Sequence, residues 1–201
     1  MKVIKEIVKK IIFGYRANSE EYSKYLRKIG VRIGEGISFI DPRTTHIDET
    51  RPWMIQIGTA VCITGGVTIL SHDYGWSVTK AVYGDVIGSC GKVKIGNNVY
   101  IGMHSTILPG TTIGNNVIIG ANSVVKGDIP DNCVIAGVPA KVIRSIEEYH
   151  QRRKAVELSE AIEMATEYYE VYGKIPPKEV FREHFWLFEM RKIILLWNIE
   201  M

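Results

Sequence analysis

The 201-residue chain contains only three cysteines, Cys62, Cys90 and Cys133, and no two of them stand in a CxxC pair. Such spacing offers neither a zinc site nor a disulfide framework, and it suits a reducing, cytoplasmic setting. No apolar run approaches the roughly 20 residues of a membrane span. The opening "MKVIKEIVKKIIFGY" is too interrupted by Lys and Glu to read as a signal peptide. The middle of the chain also lacks excess charge. Residues 33–144 carry 8 basic and 8 acidic side chains, against 9 and 3 in residues 1–32 and 8 and 11 in residues 145–201. The net charge of +3 therefore hides a basic start and an acidic end. A neutral middle argues against nucleic acid as the main partner.

What the chain does have is 46% hydrophobic residues, enough for one domain with a real core. Residues 95–128 read "IGNNVYIGMHSTILPGTTIGNNVIIGANSVVKGD". An aliphatic residue returns every sixth position at Ile95, Ile101, Ile107, Ile113, Ile119 and Val125. Neither an α-helix nor an ordinary strand has that period. A β-sandwich or meander would place its turns 8–12 residues apart. A strict six points to a parallel β-helix in which each hexad forms a short strand and a corner, with about three hexads per coil. The first position points inward. Glycine fills the second in Gly58, Gly96, Gly102, Gly114 and Gly120, where side-chain room or dihedral freedom is scarce. Asn and Gly fill the corners. The fifth position is small or β-branched (Val61, Val67, Val99, Ser105, Thr111, Val117, Ser123) and is expected to turn inward.

Extended backwards, the register gives Ile33, Phe39, Ile57, Ile63 and Ile69. The gap of 24 from Ile33 to Ile57 is a multiple of six, so the phase is expected to hold across a poorly matching stretch. The gap of 26 from Ile69 to Ile95 is not, and the chain must leave the lattice there. Three segments follow: helical residues 1–30, a repeat over 31–144 with an excursion loop at 71–92, and a helical extension over 145–201. In the first, Val3, Ile4, Ile7, Val8, Ile11 and Ile12 form an apolar stripe opposite lysines. Packing on the body or on a neighbouring subunit is the preferred reading of that stripe, because Gly14 ends it early; contact with a membrane surface is the less favoured one. A second helix is expected near Asn18 or Ser19 as cap. In the extension, one long helix runs from Ser145 to Gly173. Another starts near Pro177, with Phe181, Phe185, Trp186 and Phe188 as packing residues.

The repeat, followed by "VIAGVPAKVIR" at 134–144, resembles the hexapeptide-repeat acyltransferases of left-handed β-helix fold, which include galactoside, maltose, serine and streptogramin/chloramphenicol acetyltransferases. "SHDYGWSV" and "YYEVYGKIPPKEVFREHFWLF" resemble capsular or exopolysaccharide O-acetyltransferases more narrowly. The resemblance implies a homotrimer with active sites between adjacent prisms. It also implies acetyl-CoA as donor and direct transfer to an acceptor hydroxyl or amine, here a saccharide or polysaccharide precursor; no metal is expected.

Direct transfer needs a general base active near neutral pH, a role suited to imidazole. Of His46, His72, His104, His150 and His184, His72 stands at the mouth of the excursion, where the family keeps its base. A histidine capping a strand end is the plain alternative. Asp73 could orient it, or serve only in a turn. Tyr74 and Trp76 could face a sugar ring, or anchor the loop. By resemblance, the Met103 N–H meets the thioester oxyanion. Ala121 and Lys126 contact the donor, and Lys141 and Arg144 meet CoA phosphates. Tyr100 replaces the family's usual Trp at the acyl site, and "PRTTHIDETRPWM" holds no clear counterpart of the galactoside-binding Asn and Asp. Three other readings compete: an antibiotic acetyltransferase with the same base, a non-catalytic trimeric scaffold, and metal chemistry. The last needs three convergent histidines, and His72 and His104 lack a third.

Overall fold

A computed structural model describes residues 2–184. Residues 32–137 wind into a parallel β-helix with three flat faces. The first face stacks Arg32–Ile33, Ile55–Ile57, Val93–Ile95, Thr112–Ile113 and Asp128–Ile129. Ser38–Phe39, Cys62–Ile63, Val99–Ile101, Val117–Ile119 and Cys133–Gly137 form the second. The third consists of His46–Ile47, Thr68–Ile69, Thr106–Ile107 and Val124–Val125. Every pair along these stacks is parallel and in register, as in Ile95 with Ile113, Ile101 with Ile119 and Ile107 with Val125. These coils are therefore 18 residues, three hexads, as the period predicts, while the last one, from Ile113 to its partner Ile129, is two residues shorter.

Physical packing explains each hexad position. The first-position side chains from Phe39 to Val125 are buried and form one continuous column. The fifth-position residues are buried too, and the polar ones among them satisfy their hydroxyls on backbone. Ser105 Oγ donates to Gly120 O at 3.0 Å and Thr111 Oγ1 to Leu108 O at 2.7 Å. Glycine at the second position reflects space: a Cβ on Gly58 would lie 2.4 Å from Gly96 O, and one on Gly96 equally close to Gly114 O. At the fourth position the backbone is left-handed, with φ of 53° at Asn98, 55° at Asn116 and 57° at Asn132, a region asparagine tolerates. Their side chains form a ladder, Asn98 Nδ2 donating to Asn116 Oδ1 and Asn116 Nδ2 to Asn132 Oδ1, each at 2.8 Å.

The first coil departs from the expected phase. Ile47 pairs with Ile69 across the third face, so the inward sequence is Ile33, Phe39, Ile47, Ile57. The coil has three corners and not four; two of its three spacings are 8 and 10 instead of six. The surplus residues total six, so the phase at Ile57 matches by coincidence.

Helix α1 spans Lys2–Phe13 and α2 spans Ser19–Ile29. Asn18 caps α2, accepting the Glu21 N–H at 3.0 Å, and Gly30 ends it with φ of 111°. Tyr22 and Leu26 of α2 are fully buried against the first coil, with Tyr22 edge-on to Phe39 at 4.8 Å. In the described part of the α1 stripe, Val8, Ile11 and Ile12 are all exposed. The side chains of Val3, Ile4 and Ile7 lie outside the described ones.

The excursion carries α3, Trp76–Tyr83, on a two-stranded ribbon of His72–Asp73 against Ser89–Cys90. The barrel's last strand is antiparallel, Ala140–Ser145 folding back on Cys133–Gly137. The second compact unit begins at Glu147. It contains most of the long helix α4, Ile146–Tyr172, which ends before Gly173 (φ 60°) as the sequence predicts. After Pro177 the described chain forms 3-10 turns over Lys178–His184, kinked at Phe181, whose side chain is buried. Phe185, Trp186 and Phe188 lie outside the described residues.

Candidate active site

His72 and Asp48 form the centre of the site. The parallel pairing of His46–Ile47 with Thr68–Ile69 continues one residue further, the Asp48 N–H donating to Ile69 O at 2.9 Å. Just beyond it, the chain leaves the lattice at Ser71. The His72 side chain is 10% exposed and Asp48 2%. His72 Nδ1 lies 2.6 Å from Asp48 Oδ2. The same oxygen accepts the Ser71 hydroxyl at 2.5 Å and the Ser71 N–H at 3.2 Å. The other oxygen, Oδ1, accepts from Thr50 N at 3.0 Å and Thr50 Oγ1 at 2.7 Å.

Burial opposes ionisation of Asp48. The hydrogen bonds from Ser71, Thr50 and His72 outweigh it and hold the carboxyl well below the usual carboxylate range. A carboxylate only accepts, so Nδ1 must carry the proton shared with it. Nε2 is then left with a lone pair. The same carboxylate stabilises the imidazolium formed when Nε2 takes up a proton.

Sequence reasoning passed over Asp48. Its signal was the pair "HID" and "SHD", which only the true register of Ile47 against Ile69 brings side by side. Asp73, the orienting candidate, does not face His72 in this way: it is an exposed strand residue accepting the Gly75 N–H at 2.9 Å. Tyr74 packs edge-on to the imidazole at 5.0 Å, and Trp76 lies half-buried 6.2 Å from Tyr74.

The Asp48 segment is clamped from below. Arg16 donates to Pro42 O at 2.7 Å, Thr45 O at 2.8 Å and Glu49 Oε1 at 3.2 Å. Tyr25 OH donates to Glu49 Oε2 at 2.8 Å, and Tyr15 stacks on the Tyr25 ring at 3.7 Å. Arg16→Met would take the donor from two carbonyls and from Glu49 Oε1, leaving the carboxylate only its bond from Tyr25. It is expected to lower stability by about 1–3 kcal/mol, read as a lower urea midpoint at unchanged slope.

The remaining candidates divide between two edges of the prism. Met103 and Ala121 stack on the corner between the second and third faces, where the Asn122 N–H donates to Met103 O at 2.8 Å. Lys141 joins them, opposite Ala136 on the returning strand, with Arg144 opposite Val134. Tyr100 points outward from the second face beside Cys62 and Ile118. His72 and Lys126 belong to the other edge, between the third and first faces. Within one chain, Met103 and His72 are a whole face apart, roughly 15–20 Å for a six-residue side at about 3.3 Å per residue. His104 is an exposed corner residue with φ of 58°. Among the described residues, no group of three His, Cys, Asp or Glu could hold a metal ion.

The family model for the bacterial transferase hexapeptide (six repeats) matches residues 92–127. Protein CapG of Staphylococcus aureus is 48% identical over 128 residues, 63% of this chain and 73% of that protein. Galactoside O-acetyltransferase of Escherichia coli (strain K12) is 59% identical over 104 residues, 51% of this chain and 48% of that enzyme. A solved maltose O-acetyltransferase from Clostridium difficile 630 is 28% identical, over 70% of this chain and 85% of that one, with a TM-score of 0.46. With its hexads wound into three stacked faces and matched across most of a relative's length, the chain belongs to the hexapeptide-repeat acetyltransferases.

Proposed function

We propose that the protein transfers an acetyl group from acetyl-CoA to a hydroxyl of a saccharide or polysaccharide precursor, with His72 as general base. The observation that carries this reading is the buried Asp48–His72 pair at the mouth of the excursion. The acceptor oxygen attacks the thioester carbonyl while its proton passes to His72 Nε2. The tetrahedral oxyanion meets the Met103 N–H. Collapse expels the CoA sulfur, which takes the proton back from His72. Support for a sugar acceptor comes from the name of the galactoside enzyme and from Tyr74 and Trp76 beside the base.

His72 and Met103 sit on different edges, so one prism cannot bring base and oxyanion donor together. Two adjacent copies can, and a closed homotrimer makes three such clefts. Light scattering should give three times the 22.7 kDa chain mass; a monomer at micromolar concentration would refute the shared site.

The test of function is release of CoA thiol from acetyl-CoA, corrected for hydrolysis, across a panel of saccharides. Chloramphenicol and a streptogramin belong in the panel as acceptors of the competing kind. Saccharide-dependent release supports the reading, and release with the antibiotics alone overturns it. For the donor, Lys141→Ala with Arg144→Ala is expected to raise KM for acetyl-CoA roughly tenfold or more, since hydrogen bonds to charged groups contribute about 1.5–3 kcal/mol. KM for acetyl-dephospho-CoA should change less. Equal losses with both donors would remove the 3′-phosphate from the assignment.

A further inference from the structure

The most exposed large apolar side chain among the described residues is Ile11, at 78%. It lies in α1 beside Ile12 at 64% and Val8 at 45%. These positions are three and four apart in sequence, so they share one helical face. Val3, Ile4 and Ile7 fall on the same face by register. Lys2, Lys5, Lys9 and Lys10 fall to the other side, and Glu6 is the only acid in the helix. The ties to the body use that polar side. Lys10 Nζ binds Glu21 Oε1 at 3.0 Å, and the Arg43 guanidinium lies 5.3 Å over the Phe13 ring. Over its described side chains, the helix is held from the polar side while Val8, Ile11 and Ile12 are open.

We propose that α1 is an interfacial anchor which lays the Val8–Ile11–Ile12 stripe into the surface of an anionic lipid bilayer. Twelve residues at 1.5 Å each give a rod of roughly 18 Å, too short to cross a hydrocarbon core of about 30 Å. No helix among the described residues is long and apolar enough to cross one. An apolar stripe edged by lysines instead fits a helix lying flat in the headgroup layer. Charge selects the occupant. Residues 1–32 carry 9 basic against 3 acidic side chains. A contact of α1 with α1 of a second copy would set like charges together, and the two would repel; contact with another face of a neighbouring copy is what the oligomeric mass of the stripe variant tests. Anionic headgroups complement it, at about fivefold in binding per lysine near the surface. The apolar stripe supplies the part of the attraction that salt does not screen.

The test is co-sedimentation of the full chain with large unilamellar vesicles, with no donor or acceptor present, so the result stands apart from acetyl transfer. Vesicles of phosphatidylglycerol and phosphatidylcholine are compared with phosphatidylcholine alone. The expected result is at least tenfold stronger binding to the anionic vesicles, weakened by added salt. Lys2→Gln with Lys5→Gln should weaken it about fivefold per lysine. Ile11→Glu with Ile12→Glu should abolish it while circular dichroism and light-scattering mass stay unchanged. Equal or absent binding to both vesicle types would overturn the proposal. So would a change of oligomeric mass in the Ile11→Glu, Ile12→Glu variant, which would assign the stripe to a contact between copies.

Discussion

His72→Ala is expected to lower kcat by roughly 10²–10⁴ and to leave the affinity for acetyl-CoA nearly unchanged. The reason is local. Alanine at this position keeps the excursion's two-stranded base, which is built from backbone bonds such as Gly91 N–H to Ser71 O at 2.9 Å. It removes the group that accepts the hydroxyl proton, and Asp48 Oδ2 keeps its two bonds from Ser71. The donor candidates Met103, Ala121 and Lys141 sit on the other edge of the prism and keep their geometry. His104→Ala is the control, since His104 is an exposed corner residue, and should matter far less. Near wild-type turnover in His72→Ala, with loss in His104→Ala, would move the base to the corner of the lattice.

Asp48→Asn should cost nearly as much, roughly 10²–10⁴ in kcat, through a different route. Five donor contacts converge on the two carboxylate oxygens. An amide offers one oxygen and one NH₂, so one side must present donors to donors. If the NH₂ faces His72, the Nδ1–H form loses its acceptor, and the proton moves to the nitrogen that should receive the substrate's. The measurement that separates positioning from folding is the split between kcat and KM together with the pH profile. A variant that keeps KM for acetyl-CoA and loses kcat has lost the tautomer; one that loses both has lost the site.

Stability carries a second signature of Asp48. Its carboxyl is depressed in the folded protein, so the unfolded chain binds the proton more readily. The resulting stabilisation is fully present above the ordinary carboxylate value of about 3.9. It is lost as pH falls from there towards the depressed folded value. Urea midpoints measured from pH 6 down to pH 3 should therefore fall less steeply in Asp48→Asn than in the wild type. Parallel curves would show that Asp48 is not the depressed group.

The sequence by itself determined the lattice. Inward Ile and Val at position one, buried small residues at position five, and asparagine at left-handed corners follow from contacts that repeat every coil. A local period therefore writes them directly into the chain. The break after Ile69, the excursion it starts, and His72 at its mouth were legible for the same reason, because an interruption is visible against a strict repeat. Left-handed winding came from the family resemblance and not from spacing. Only the tertiary structure decided the first coil, where irregular spacings of 8 and 10 restored the phase at Ile57 and hid Ile47 as an inward residue. With Ile47 hidden, Asp48 could not be matched to Ser71 and His72, which lie 23 and 24 positions further on. Asp73 looked like the partner because it is adjacent, yet successive residues in a strand point to opposite sides. Tertiary structure likewise put Met103 and His72 on separate edges and left Val8, Ile11 and Ile12 of α1 uncovered. Both depend on which surfaces face one another in space, and a one-dimensional period records which residues turn inward but not which edges or surfaces meet.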